Sequence, residues 1–210
     1  MLIESFVKTA KKNFSKVIQE DSTGISLTFG QTLTASVLLS KHIRNFEGEN
    51  IALMFPASVG GALAYIATSF AGKTPVGLNF IASREEQDWV MNTCDVKTIF
   101  TSRKFIQKAE IAEDPRMVFI EDIKERASKL GKLLTYLSCK ITSCQSLIQK
   151  YKEFDAPDKT AIILFTSGSE SHPKGVILTN KNIYVTIQNY STVFKPVPED
   201  KILGTLPFFH

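Results

Sequence analysis

Residues 161–183 read AIILFTSGSESHPKGVILTNKNI. An apolar run enters a cluster of Ser, Thr and Gly; Pro173, Lys174 and Gly175 follow, then a second apolar run. Residues 159–165 have the length of a buried strand, and residues 166–175 read as a loop. Residues 176–178 make a short strand, and Thr179 caps a helix with Ile183, Ile187, Tyr190 and Phe194 along one side. The loop therefore leaves the end of a strand, which is where α/β sheets bind ligands. Gly168 and Gly175 permit close backbone approach. Thr166, Ser167, Ser169 and Ser171 offer hydroxyl donors, and Lys174 a point charge. Such a set is a cradle for a phosphate. It is not a Walker A loop, which needs Gly just before the lysine and Ser or Thr just after it. Pro173 and Gly175 hold those places, and no G-x-G-x-x-G occurs in the loop.

Upstream, strand-length runs alternate with helical segments. Strands are expected at ISLTFG (25–30), NIALMF (50–55), TPVGLNF (74–80), VKTIFTS (96–102) and RMVFIED (116–122). Helices are expected near 31–43, 58–72, 83–94 and 104–111, with Ser83 as an N-cap ahead of acidic residues in the first turn. This alternation predicts βαβ units, an α/β fold with a mostly parallel sheet flanked by helices. Residues 51–72 contain no charged side chain, which invites a membrane reading. Pro56 and Ser58 split the run, and Gly60 and Gly61 weaken a helix start, so a strand, a turn and a buried helix are expected instead. Residues 123–151 hold no strand. Leu130, Leu133, Leu134, Leu137, Ile141, Cys144, Ile148 and Tyr151 recur at helical steps, and Lys124, Arg126, Lys129, Lys132, Lys140 and Lys150 make the segment basic. It suits a membrane surface or an acidic protein; a packing helix with a solvated basic face is the plainer reading. The polar stretch 153–160, with Pro157, divides a first α/β subdomain (1–155) from the start of a second (156–210).

A net charge of +4 over 210 residues is too small and too scattered to call for nucleic acid. The three cysteines, Cys94, Cys139 and Cys144, form no disulfide framework, and no histidine stands near them for zinc, so no metal site is expected. Free thiols and the lack of an apolar leader in residues 1–14 fit the cytoplasm.

FTSGSESHPKGV (165–176) resembles the phosphate-binding signature of the adenylate-forming, AMP-binding enzymes: acyl-CoA synthetases, luciferases and peptide-synthetase adenylation domains. Ser171 stands where that family usually has Gly. LTFGQTL (27–33), residues 49–80 and LGTLPFFH (203–210) resemble three further family segments. TSRKFIQKA (101–109), FIEDI (119–123) and the Glu170/His172 form of the loop resemble one branch, the ligase half of the bifunctional bacterial acyl-[acyl-carrier-protein] synthetase/2-acylglycerophosphoethanolamine acyltransferase.

The resemblance implies an ATP- and Mg²⁺-dependent acid–thiol ligase. A fatty acid would be activated as its acyl-adenylate, then passed to acyl carrier protein or CoA, with a link to lysophospholipid acylation. Thr166, Ser167, Gly168, Ser169, Glu170 and Lys174 would hold the ATP phosphates, while Phe209 and His210 would border the acyl pocket. The implied place is the cytoplasm, at the inner face of a bacterial inner membrane. The family's later motifs, including its ribose-binding aspartate and C-terminal lysine, do not occur in these residues. The chain thus reads as the N-terminal part of a larger enzyme, inactive alone and without the C-terminal domain. The other reading is a non-catalytic nucleotide- or partner-binding module.

Overall fold

The computed structural model describes residues 1–166 and 173–209. Helix α1 (Leu2–Lys12) is followed by β1 (Val17–Glu20) and β2 (Ser26–Thr28), which pair antiparallel as a separate two-stranded sheet. α2 (Phe29–Ile43) starts at a capping box. The Gln31 N–H donates to Thr28 Oγ1 at 3.2 Å, and the Thr28 N–H donates to Gln31 Oε1 at 2.8 Å. Then come β3 (Asn50–Met54), α3 (Val59–Phe70), β4 (Thr74–Gly77), α4 (Arg84–Thr93), β5 (Thr98–Thr101), α5 (Arg103–Lys108) and β6 (Met117–Phe119). Three helices follow, α6 (Ile120–Arg126), α7 (Lys129–Ile141) and α8 (Cys144–Tyr151), before β7 (Thr160–Thr166), β8 (Lys174–Thr179) and α9 (Asn180–Phe194).

The main sheet has six strands in the order β6-β5-β3-β4-β7-β8, all parallel except the β7–β8 pair. The pleat sends alternate residues of β3 to opposite faces. Ile51 and Leu53 pack with Leu39, Ile43, Leu63 and Ala67, so α2 and α3 cover one face. Ala52 and Met54 pack with Val90 and Met91, so α4 covers the other. A strand buried on both sides is a continuous apolar run, and that is why residues 50–55 are readable as one. Behind α2 and α3 lies a second helical layer in which Val7, Leu33, Phe70, Leu147 and Tyr151 meet. Its anchor is distant in sequence. The Asp155 carboxylate accepts the N–H groups of Ile3 at 3.0 Å and Glu4 at 2.9 Å, capping α1 from 152 positions away.

The charge-free run 51–72 forms the expected strand, turn and helix. Among the described residues no helix is long and apolar enough to cross a membrane. Ser83 caps α4 as expected, accepting from the Glu86 N–H at 3.2 Å. All three cysteines are free thiols; Cys139 is buried, which pushes its thiol pKa up. Several expectations change. The strand expected over 116–122 stops at Phe119, and Ile120–Arg126 turns into α6. Residues 174 and 175 lie in β8 rather than in a loop, because β7 turns back on itself as an antiparallel hairpin. Within β7 only Ile163 is fully buried, since β8 and the surface beyond it leave that end of the sheet partly open.

One ion-pair cluster pins α4 to the turn before β6. The Asp114 side chain is 1% exposed. It accepts Arg116 Nε at 2.9 Å, Arg116 Nη2 at 2.7 Å, the Arg116 backbone N–H at 2.8 Å and a short contact from Arg84. Arg116 Nη2 also reaches Asp88 at 2.9 Å. The Arg116 guanidinium, helped by Arg84, overcomes burial and holds the Asp114 carboxyl well below the usual carboxylate range. A group depressed in the folded state contributes stability above its unfolded pKa, about 3.9, and loses that contribution as pH falls through the folded value. Asp114→Asn should therefore cost about 2 kcal/mol at neutral pH, because it removes the buried carboxylate of the cluster and leaves the partly buried Arg116 and the exposed Arg84 with Asp88 alone. Urea melts from pH 7 down to strong acid would show the gap between wild type and variant narrowing below about pH 4. A constant gap would mean that the cluster is not the source of that acid sensitivity.

Candidate phosphate- and acyl-binding site

From β3 the chain steps outward to β4, then crosses back to β5 on the other side of β3. That reversal opens a crevice at the carboxyl ends of β3 and β4, the switch point of a doubly wound sheet. Three segments meet there.

The first is the start of α3. Its N-cap Ser58 accepts the Gly61 N–H at 3.1 Å, and Asp21 Oδ2 accepts the Val59 N–H at 2.9 Å. Burial would raise the Asp21 pKa, but hydrogen bonds from Thr23 and Val59 lower it overall. A carboxylate thus occupies this helix N-terminus, which makes it a poor place for a phosphate.

The second segment is Pro207 to Phe209. Phe209 is buried, with its ring edge-on to Phe80 at 5.1 Å. Phe208 packs on Tyr65 at 5.2 Å, and Tyr65 Oη donates to the Phe208 carbonyl at 2.8 Å. Burial pushes the Tyr65 phenol well above its usual pKa, so it stays a donor. Two glycines make room. A Cβ at Gly61 would lie 2.6 Å from the Phe208 ring, and one at Gly77 would lie 3.0 Å from Phe209 Cα and 3.3 Å from the Phe208 carbonyl oxygen. These are places where a backbone must approach closely, the physical demand that selects glycine.

The third is the mouth of the β7–β8 hairpin. Thr166 and Lys174 stand opposite each other in the register, and Phe165 stands opposite Gly175. Thr166 and Lys174 are both exposed. A cavity of about 100 Å³ runs between this mouth and the crevice, lined by Gly77, Asn79, Gln87, Phe165, Thr166 and Phe209 among others. It brings one predicted phosphate residue, Thr166, and one predicted acyl-pocket residue, Phe209, to the same space.

Of the residues singled out from the sequence, Thr166, Lys174 and Phe209 are placed here. Ser167, Gly168, Ser169, Glu170 and His210 lie outside the described residues. Sequence reasoning missed Tyr65, Gly61, Gly77 and Gln87. Gly61 carried a signal that was read the wrong way: a glycine in the first turn of a helix costs stability unless something needs its space. Here Phe208, 147 positions later, takes that space.

The sequence profile of the AMP-binding enzyme family matches residues 6–210. The chain is similar to an oxalate–CoA ligase of Arabidopsis thaliana, 29% identical over 164 residues, covering 78% of this chain and 31% of that protein. It is also similar to a medium-chain fatty-acid–CoA ligase of Escherichia coli (strain K12), 25% identical, covering 100% of this chain and 38% of that protein. The chain thus spans about a third of the length of these curated relatives. In fold it resembles o-succinylbenzoate CoA synthetase of Bacillus subtilis, solved with its acyl-adenylate intermediate. The TM-score is 0.73 at 20% identity, over 98% of this chain and 50% of that one. The same enzyme solved with ATP and magnesium ion gives 0.71.

Proposed function

Because the chain belongs to the AMP-binding enzyme family, we propose that it supplies the phosphate-holding part and one wall of the acyl site of an ATP-dependent acid–thiol ligase. The observation that carries this reading is the shared cavity, with Thr166 at its phosphate end and Phe209 at its apolar end. In the reaction, a carboxylate attacks the α-phosphate of ATP, the bond to the β-phosphate breaks, and pyrophosphate leaves with the electron pair. Donors fixed in advance around the leaving group stabilise its growing charge without reorganising. Lys174, Thr166, Ser167 and Ser169 are assigned that task; Gly168 and Glu170 complete the proposed site, where the Glu170 carboxylate would repel phosphate and only its backbone N–H could donate. A hydroxyl and an ammonium suit anionic oxygens rather than a metal ion. Among the described residues no group of three His, Cys, Asp or Glu is placed to hold a cation. Mg²⁺, when bound with the nucleotide, would help neutralise the phosphate charge.

Phe209 and His210 are assigned to the acyl side. The rings of Phe80, Phe105 and Phe209 form an edge-to-face chain beside the cavity, an apolar surface that favours a hydrocarbon acid. The similarity to a fatty-acid–CoA ligase supports a fatty acid as substrate. The acceptor is then the thiol of a phosphopantetheine arm, which CoA and acyl carrier protein share. The similarity to CoA ligases supports CoA as acceptor, while the branch resemblance of residues 101–109 and 119–123 keeps acyl carrier protein and a role in lysophospholipid acylation as the other reading. Large apolar side chains remain exposed on β8, α9 and the segment beyond, among them Ile177, Val193, Phe194 and Leu203. A surface of this kind supports a chain that packs against further protein.

The test is acid-dependent exchange of labelled pyrophosphate into ATP by an enzyme carrying these residues. Exchange that needs a fatty acid and Mg²⁺ supports the reading. ATP binding without exchange for any carboxylic acid would replace it with a binding role.

A further inference from the structure

We propose that α7 docks in the plane of an anionic phospholipid surface. The inference is independent of the ligase reading and starts from which side of the helix meets the protein. Leu130, Leu134, Leu137 and Ile141 recur at steps of four, three and four residues, so they share a sector about 60° wide. An amphipathic helix in a globular protein turns such a stripe inward. This one turns it outward: Leu130 is 65% exposed, Leu134 56% and Ile141 80%, while Cys139, on the opposite side, is the buried residue of the helix. The inward side is also held by polar contacts. Lys11 Nζ donates to the carbonyls of Cys139 at 2.9 Å and Lys140 at 2.6 Å, at the end of α7.

Charge identifies the occupant. Residues 123–151 carry six Lys and Arg against one Glu, a net +5, so this segment holds more positive charge than the +4 of the whole chain. Lys129 and Lys140 flank the stripe on one side, with Lys132 beyond them. Apolar residues on one arc, lysines at its margin and a wet outer face are the pattern of a helix lying in a lipid headgroup layer, where long lysine stems reach to the phosphates. Residues 174–209, which carry the exposed apolar surface of β8, α9 and the segment beyond, hold four Lys against one Glu and one Asp, a net +2 spread along the segment without a basic rim beside one stripe, and suit protein instead. An acidic protein partner fits α7 less well. The stripe is wholly aliphatic, without the Trp, Tyr or Arg anchors that carry most protein–protein affinity. Beside the stripe, an apolar cavity of about 460 Å³ opens between α2 and α7, lined by Leu39, Leu63, Leu133 and Tyr136, with Lys124 and Lys132 also on its wall. Leu133 is 54% exposed and joins stripe to cavity, so a surface-bound helix would present the cavity to lipid acyl chains.

The experiment is co-sedimentation of the full chain with vesicles of phosphatidylcholine alone or mixed with phosphatidylglycerol. Binding should appear with the anionic vesicles and weaken as salt rises. The triple variant K129E/K132E/K140E should bind on the order of a hundredfold more weakly. The variant L130Q/L134Q/I141Q should lose at least about tenfold, with an unchanged circular dichroism spectrum because these positions are exposed. Failure of the wild type to bind anionic vesicles overturns the proposal, and so does binding that neither variant weakens. A dimer abolished by the glutamine variant, or saturable binding to an acidic protein without vesicle binding, would assign the face to protein and also overturn it.

Discussion

Incubated with ATP, Mg²⁺ and a fatty acid, the 210-residue chain should form no acyl-adenylate. Adenylation needs a phosphate cradle, a pocket for adenine and ribose, and a positive charge at the α-phosphate, all present together. Of the three, the first is the role proposed for the β7–β8 hairpin, and the family motifs that serve the other two do not occur in these residues. A cradle alone binds weakly, because its few donors must offset the cost of fixing the ligand and ordering side chains, at least about 4 kcal/mol. ATP binding near the millimolar range is expected, with no acyl-AMP by mass spectrometry. Turnover at an ordinary enzymatic rate, roughly 1 per second or faster, would place the catalytic groups elsewhere in the chain.

In an enzyme that carries these residues, Lys174→Ala should lower pyrophosphate exchange by about a hundredfold to a thousandfold. Lys174 opens β8 opposite Thr166, at the mouth of the hairpin, and is exposed. Removing its side chain takes a cation from the place where pyrophosphate charge would build, and empties no core. Stability should therefore stay within about 0.5 kcal/mol of the wild type, which separates a chemical effect from unfolding. Lys174→Arg should recover only part of the rate, since a planar guanidinium does not reproduce a compact ammonium. Exchange unchanged in the alanine variant, with the protein folded, would remove Lys174 from the phosphate site.

What the sequence made legible was local. The run at 50–55 is apolar on both faces and could only be a central strand. Ser83 with Glu86, and Thr179 with Asn182, announce helix starts three residues ahead by their own side chains. The phosphate site was proposed from composition, and of its residues the structure places Thr166 and Lys174 opposite each other. The rest depended on partners far along the chain. β1 shows mostly exposed positions and borrows its strand character from β2. α1 is fixed by Asp155. Gly61 and Gly77 look like weak points until Phe208 and Phe209 come to lie on them. The leucines of 130–141 were periodic in the sequence, but periodicity gives a face and not a direction, and here that face looks to solvent. The helix also stops at Thr142, where Ser143 caps α8, so the eight apolar positions expected on one face divide between two helices.

If the β7–β8 hairpin holds the phosphates of ATP, as proposed, the nucleotide should be seen there. The most direct measurement is a titration of the isotopically labelled chain with Mg²⁺–ATP, followed by backbone amide resonances. The largest shifts should fall on Thr166, Lys174, Gly175 and residues 167–172, with smaller ones at Phe209 and Gly77 around the shared cavity. Lys174→Ala should abolish them while leaving the rest of the spectrum in place. Shifts confined to the α2–α7 cavity or to the start of α3, or none at saturating nucleotide, would contradict the claim.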